Sequence, residues 1–171
     1  MAAFTVTTLA ADGVRSVYPL IREAVPGLEL AAWLRFARQL TSGRRSGQAG
    51  IVVAQRTGRT FPCGLFCYRV DQDLERGKVL IAEHFVAVDL LDPAAVLAAL
   101  VQELEQLAQR LGCRAVRSLV HGGEAVVTGG LAAAGHEAQG SLLFKPILDG
   151  LPAVSSGRAL GTDPDFSAAP Q

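Results

Sequence analysis

The sequence predicts an α/β domain built on a mixed central sheet. An apolar run from Val79 to Val88 leads through Asp92-Pro93 into a long amphipathic stretch and then into a second apolar run, Ala115 to Val120. That order implies two parallel strands joined by a helical crossover. Upstream, Ile51 to Ala54 and Cys63 to Val70 flank the turn Arg56-Thr-Gly-Arg59 and read as an antiparallel hairpin. Half of the 171 residues are hydrophobic, enough for one domain with its own core.

Taken in order, Phe4 to Leu9 alternates Thr with apolar residues, as a half-buried strand does, and Ala11-Asp12-Gly13 ends it. Two helices follow. The first spans about Val14 to Val25, with Val17, Leu20, Ile21 and Ala24 at helical spacing and Pro26-Gly27 as its stop. The second spans about Glu29 to Leu40, with Leu30, Trp33, Leu34 and Ala37 on one face. Thr41 to Gly50 is a polar, glycine-rich loop carrying Arg44 and Arg45. After the hairpin, Asp71 to Gly77 is read as a turn into the strand at Val79. The crossover helix presents Leu97, Leu100, Leu104, Leu107 and Leu111 at steps of three and four. Asp92 suits its N-cap, Pro93 its first position and Gly112 its left-handed end. Gly122-Gly123 breaks the chain, Glu124 to Ala134 is a weaker helix, and Ser141 to Ile147 is a sixth strand. The domain therefore runs over residues 1–147, with helices on both faces of about six strands, and 148–171 is a flexible tail rich in Pro, Gly, Ser and Ala.

Sixteen basic and sixteen acidic residues cancel, so no global field draws the chain to nucleic acid or an anionic membrane. Cys63, Cys67 and Cys113 form no CxxC pair; they read as small buried side chains in a reducing compartment, with neither a disulfide nor a metal site. No stretch approaches a membrane span, and no leader pattern opens the chain, so the expectation is a soluble cytoplasmic protein.

The element order, Ile81-Ala-Glu-His-Phe-Val-Ala-Val88 in the strand before the crossover helix, Leu107-Ala-Gln-Arg-Leu-Gly-Cys113 at its end, and Ala133-Ala-Gly-His-Glu137 followed by Leu143-Phe-Lys-Pro-Ile147 together resemble the GCN5-related N-acetyltransferase (GNAT) superfamily over about residues 4 to 147. The resemblance implies a domain that binds acetyl-CoA or another acyl-CoA between two splayed parallel strands and passes the acyl group to an amine of a small molecule or peptide. It implies that backbone N–H groups of Phe85, Val86, Ala87 and Val88 hold the thioester carbonyl. It places the cofactor phosphates at the start of the crossover helix, around Asp92, Ala94, Ala95 and Val96. Glu83 stands where some members hold a general base, and a carboxylate in an apolar strand would be pushed toward neutral pH. His121, closing the Ala115 to Val120 strand, is the other candidate base.

Two positions depart from the family pattern. The pyrophosphate loop Q/R-x-x-G-x-G/A falls where this chain reads Leu90-Leu-Asp-Pro-Ala-Ala-Val96, with no glycine, one donor removed by Pro93 and a carboxylate added by Asp92. The tyrosine that protonates the leaving thiolate falls on Leu131, and His136 stands where phenylalanine is usual. These departures define the alternative, a non-catalytic GNAT-fold binding or regulatory module that has lost acetyl-CoA binding.

Each signal has a structural reading as well. Glu83 and His84, adjacent in a strand, should face opposite ways, and Glu83 could simply pair with Arg69 or Arg117. His121 could cap a strand end. Arg35, Arg38, Arg44 and Arg45 read as a solvated basic face, or as a phosphate or acidic-partner site beside the second helix. Exposed sheet edges and a leucine-rich helix allow a homodimer.

Overall fold

In the computed structural model, which describes residues 4–42, 47–89, 92–120, 125–140 and 142–145, period-two alternation along the strands sorts apolar side chains onto two faces of one sheet. The elements are β1 (Phe4–Thr8), a 3-10 segment (Ala11–Arg15), α1 (Tyr18–Ala24), α2 (Leu30–Thr41), β2 (Ala49–Arg56), β3 (Pro62–Asp73), β4 (Gly77–Ala87), α3 (Pro93–Arg110), β5 (Ala115–Leu119) and α4 (Ala125–Ala133). Strand order follows chain order. β1 to β4 pair antiparallel, and β5 runs parallel to β4 after the α3 crossover, so the sheet is mixed as the sequence predicts.

On one face Val52, Phe66, Tyr68, Leu80 and Phe85 pack under α3 and α4. On the other, Ile51, Val53, Leu65, Cys67 and Val86 pack under the 3-10 segment, α1 and α2. Leu97, Leu100 and Leu104 of α3 are fully buried, and each contributes about 1.5–3 kcal/mol by leaving water. Trp33 of α2 is anchored by its indole N–H, which donates to the Val14 carbonyl at 2.8 Å. The start of α3 lies directly on β3, because a Cβ at Gly64 would stand 2.5 Å from Val96 Cγ1 and 3.1 Å from the Val86 carbonyl oxygen.

Three expectations need correction. The single helix over Val14 to Val25 is divided: a 3-10 segment ends at Arg15 and α1 begins at Tyr18, with Pro19, which has no N–H to donate, in its first turn. The turn expected over Asp71 to Gly77 is shorter, because β3 continues to Asp73. There the carboxylate accepts the N–H groups of Glu75 (3.0 Å) and Arg76 (2.9 Å), and Gly77 adopts φ +72°. The described sheet has five strands where about six were expected. Residues 142–145 form no strand, and 141, 146 and 147 lie outside the described residues. Lys145 is followed by Pro146, which cannot donate to a ladder, so the apolar run available for pairing is short.

By contacts, the chain divides into a unit that ends at Glu137 and a second that begins at Ala138. Among the described residues no helix is long and apolar enough to cross a membrane, and no group of three or more His, Cys, Asp or Glu is placed to hold a metal ion.

Candidate functional site

β4 changes character at His84. Below it, β4 pairs with β5 from Val79 opposite Ala115 to Glu83 opposite Leu119, where the described ladder ends. On its other side, Cys67 of β3 faces Glu83 while Leu65 faces Val86, so one β3 residue spans two β4 residues, His84 and Phe85. That is a β-bulge, and His84 carries its left-handed conformation at φ +56°, the only such non-glycine residue among those described. A bulge bends a strand and raises its twist. Here it lies directly after the last described β4–β5 pair.

The bulge also resets which side chains face which way. Leu80, Ala82 and Phe85 face α3 and α4, whereas Val86 faces α1 and α2. Glu83 lies opposite Cys67, on the α1/α2 face. The His84 ring stands edge-on to Phe36 of α2, with centroids 5.6 Å apart. Glu83 and His84 therefore share a face, against the expectation that neighbours in a strand point apart. The inserted residue breaks the alternation on which that expectation rests.

Glu83 does not sit in an apolar surround. Its Oε1 accepts from Arg69 Nη1 at 2.7 Å, so Arg69 is its partner, while Arg117 pairs with Asp73 at the far end of the sheet. Phe85 and Val86 are buried and offer only their main chain. The Val88 N–H donates to the Cys63 carbonyl at 2.7 Å and so belongs to the sheet. Because successive N–H groups alternate between strand edges, the Ala87 N–H is directed to the opposite edge, beyond the end of the β5 ladder. His121, Arg44 and Arg45 lie outside the described residues; Arg35 and Arg38 are exposed.

The start of α3, a few residues on, is closed by carboxylates. Asp92 caps the helix as predicted, its Oδ1 accepting the Ala95 N–H at 2.9 Å, with Pro93 in the first turn. Asp92's own N–H donates to Asp89 Oδ1 at 3.2 Å. Asp89 Oδ2 in turn accepts from Arg56 Nη2 at 2.6 Å and Nε at 3.2 Å. The Asp89 hydrogen bond raises the Arg56 pKa further above its ordinary value. Ala94 is exposed, Ala95 half-buried and Val96 fully buried. Asp89 and Arg56 were not singled out from the sequence, although the Asp-x-x-Asp spacing before a proline was visible there.

Elsewhere, Leu131 is buried against α3, and His136 Nδ1 stands 3.3 Å from Ser118 Oγ on β5. Burial pushes the Cys67 thiol far above its ordinary range and that of Cys63 upward, so neither is an activated nucleophile.

Searches against sequence-family models and curated proteins give no match. Solved structures do match. The aminoglycoside N-acetyltransferase AAC(6')-Iy in complex with CoA superposes with a TM-score of 0.70 at 14% identity, over 85% of this chain and 95% of that one. Glucosamine-6-phosphate N-acetyltransferase from Arabidopsis thaliana gives 0.66 at 13%, over 85% and 99%. A transcriptional regulator from Bacillus halodurans C-125 gives 0.70 at 12%, over 85% and 100%. The mixed sheet with its crossover helix thus defines an acetyltransferase-type α/β fold. It is the fold of the GCN5-related N-acetyltransferases, which the sequence resembles.

The two ends of this stretch offer an acyl-CoA different chemistry. The Ala87 N–H, on the β5 side of β4 past the last described pair, is a donor that a thioester carbonyl would accept. The start of α3 does not suit a pyrophosphate, since Asp92 holds the Ala95 N–H and Asp89 holds the nearby guanidinium.

Proposed function

We propose that this chain is an N-acyltransferase that takes an acyl group from a thioester of the acyl-CoA class and delivers it to an amine of a small molecule or peptide. The observation that carries the reading is the end of the β4–β5 ladder at Glu83–Leu119, immediately before the bulge at His84. A parallel pair that parts at such a kink leaves main-chain donors of β4 facing a gap, where an acyl carbonyl can accept them. A donor already fixed in the sheet needs no reorganisation as charge develops on that oxygen. CoA-bound AAC(6')-Iy, on the same fold, supports the thioester class.

The chemistry needs only direct attack. The amine nitrogen bonds to the carbonyl carbon as the C–S bond breaks. Glu83 takes the proton that the nitrogen loses, and the departing thiolate is protonated from water, since Leu131 has no proton to give. Arg69 holds Glu83 Oε1 and so fixes the carboxylate in place, leaving Oε2 for the proton. His84 shares that face, its ring against Phe36, and in this reading it faces the acceptor.

The decisive experiment is calorimetric titration with acetyl-CoA and longer acyl-CoAs, followed by turnover assays on a panel of amines. The expected result is thioester binding, with Glu83→Gln lowering turnover by about 10²–10⁴-fold and leaving binding intact. Turnover unchanged in Glu83→Gln would remove Glu83 as the base. The second reading, a non-catalytic module on the same fold, is favoured by the Asp92 cap and by buried Leu131. Absence of thioester binding at millimolar concentration would decide for it.

A further inference from the structure

We infer that Asp89 and Asp92 exclude a phosphate group from the start of α3, so that the donor is selected by its thioester and amide-bearing arm and not by its phosphates. The inference rests on the thioester reading above and names the donor class within it. An anion approaching this helix start needs free N–H groups and a cation. Of the first-turn donors, Pro93 offers no N–H and the Ala95 N–H is held by Asp92, which leaves the Ala94 N–H with no cation beside it, among the described residues, that is not already engaged. Arg56 is held through two nitrogens by Asp89.

The Asp89 side chain is only 10% exposed, and its second oxygen accepts the Asp92 N–H, so its carboxylate is tied to the cap residue of α3. Arg56 offsets one of them and leaves a net negative charge where the fold's donors would carry their phosphates. A pyrophosphate would have to displace Asp89 from Arg56 and Asp92 from Ala95, and would still lie beside both. Each carboxylate at such range repels a phosphate by on the order of tenfold in affinity.

The test compares acetyl-CoA with S-acetylpantetheine, which carries the same thioester without phosphates, by calorimetry on the wild type and on Asp89→Asn/Asp92→Ser. Asn retains an acceptor for Arg56, and Ser is as good an N-cap as Asp, so the variant loses charge and keeps the fold. The wild type is expected to bind the two donors within about threefold of each other. The variant should tighten acetyl-CoA by about tenfold or more and leave S-acetylpantetheine unchanged, and added salt should narrow that difference. A wild type that prefers acetyl-CoA by about tenfold or more overturns the inference. If the wild type binds neither thioester, the acyl-transfer reading fails and inorganic pyrophosphate decides the exclusion separately. Binding by the variant alone supports it; binding by the wild type, or by neither protein, overturns it.

Discussion

The end of β4 and the start of α3 are separated by only a few residues, yet they are built on different principles. The opening proposed beside β4 is a matter of backbone. One inserted residue, His84, adopts φ +56° directly after the last described β4–β5 pair, and the donors the proposed function uses there belong to the main chain. The closure at α3 is a matter of side chains. Asp92 takes the Ala95 N–H and Asp89 takes the Asp92 N–H and the Arg56 guanidinium, donors that an anion would use. A backbone device survives extensive sequence change as long as the strands still pack. A side-chain site can be reversed by one or two substitutions. A backbone feature can therefore persist in a sequence that no family model matches, where side-chain groups change freely.

The substitution that should disturb both regions most is Gly64→Val. Gly64 lies under Val96 at the start of α3 and beside the Val86 carbonyl of β4, with no room for a Cβ between them. A larger side chain must lift α3 or push β4, at a cost of roughly 1–3 kcal/mol or more. Thermal denaturation should show a fall of several degrees, and donor binding should weaken as well. A stable Gly64→Val protein with unchanged binding would mean that α3 and β4 do not share this support.

The backbone device can be tested alone at His84. A β-branched residue tolerates the left-handed region worst, so His84→Val should destabilise the fold by about 1–2 kcal/mol, whereas His84→Gly should hold or raise the melting temperature. If the opening is a main-chain feature, His84→Gly also keeps thioester binding while losing whatever the imidazole contributes on the acceptor side. Equal melting temperatures for the Val and Gly variants would argue that the bulge is not a strained position.

How much of this was legible in the sequence follows the same division. The mixed sheet, the crossover helix and the Asp92-Pro93 cap were readable because periodicity and capping are written in residue type: Leu97, Leu100 and Leu104 face the sheet, and Asp92 accepts the Ala95 N–H. The bulge was not. A left-handed residue is announced when it is glycine, but here it is histidine in an otherwise apolar strand that also holds Glu83, and nothing in Glu83-His-Phe85 marks the inserted position. From that miss follows the wrong expectation that Glu83 and His84 face apart. The apolar surround expected for Glu83 was wrong for a second reason. Its partner, Arg69, lies 14 residues away, and only the β3–β4 register brings the two together, although Arg69 could be named as one of two alternatives. Asp89 and Arg56 went unnoticed because their bond joins residues 33 apart in sequence.

The side-chain device has its own stability signature. Asp92→Ala removes the α3 cap and should lower stability by about 1 kcal/mol, whereas Asp92→Ser, which keeps an acceptor for the Ala95 N–H, should be close to neutral. Chemical denaturation of the two variants separates cap from charge. Because the Asp92→Ser effect on stability is small, any change it makes to donor affinity can be assigned to the lost carboxylate. Equal losses in both variants would show that charge at the helix start, and not the hydrogen bond, stabilises α3.

The smallest expected effect comes from the far end of the β3–β4 hairpin, which serves as a reference for both regions. Asp73 accepts the N–H groups of Arg76 and Glu75, and these bonds hold its pKa below the ordinary carboxylate range. A carboxylate depressed in the folded state stabilises the fold above its unfolded pKa, and that contribution fades as pH falls through the folded value. Melting curves of the wild type and Asp73→Asn should therefore differ slightly near neutral pH and converge in acid. Donor binding should be the same in both proteins, because Asp73 lies at the opposite end of β4 from the opening. Weakened binding in Asp73→Asn would mean that strain in the hairpin is transmitted along β4 to the bulge, and that the opening is less local than the pairing pattern implies.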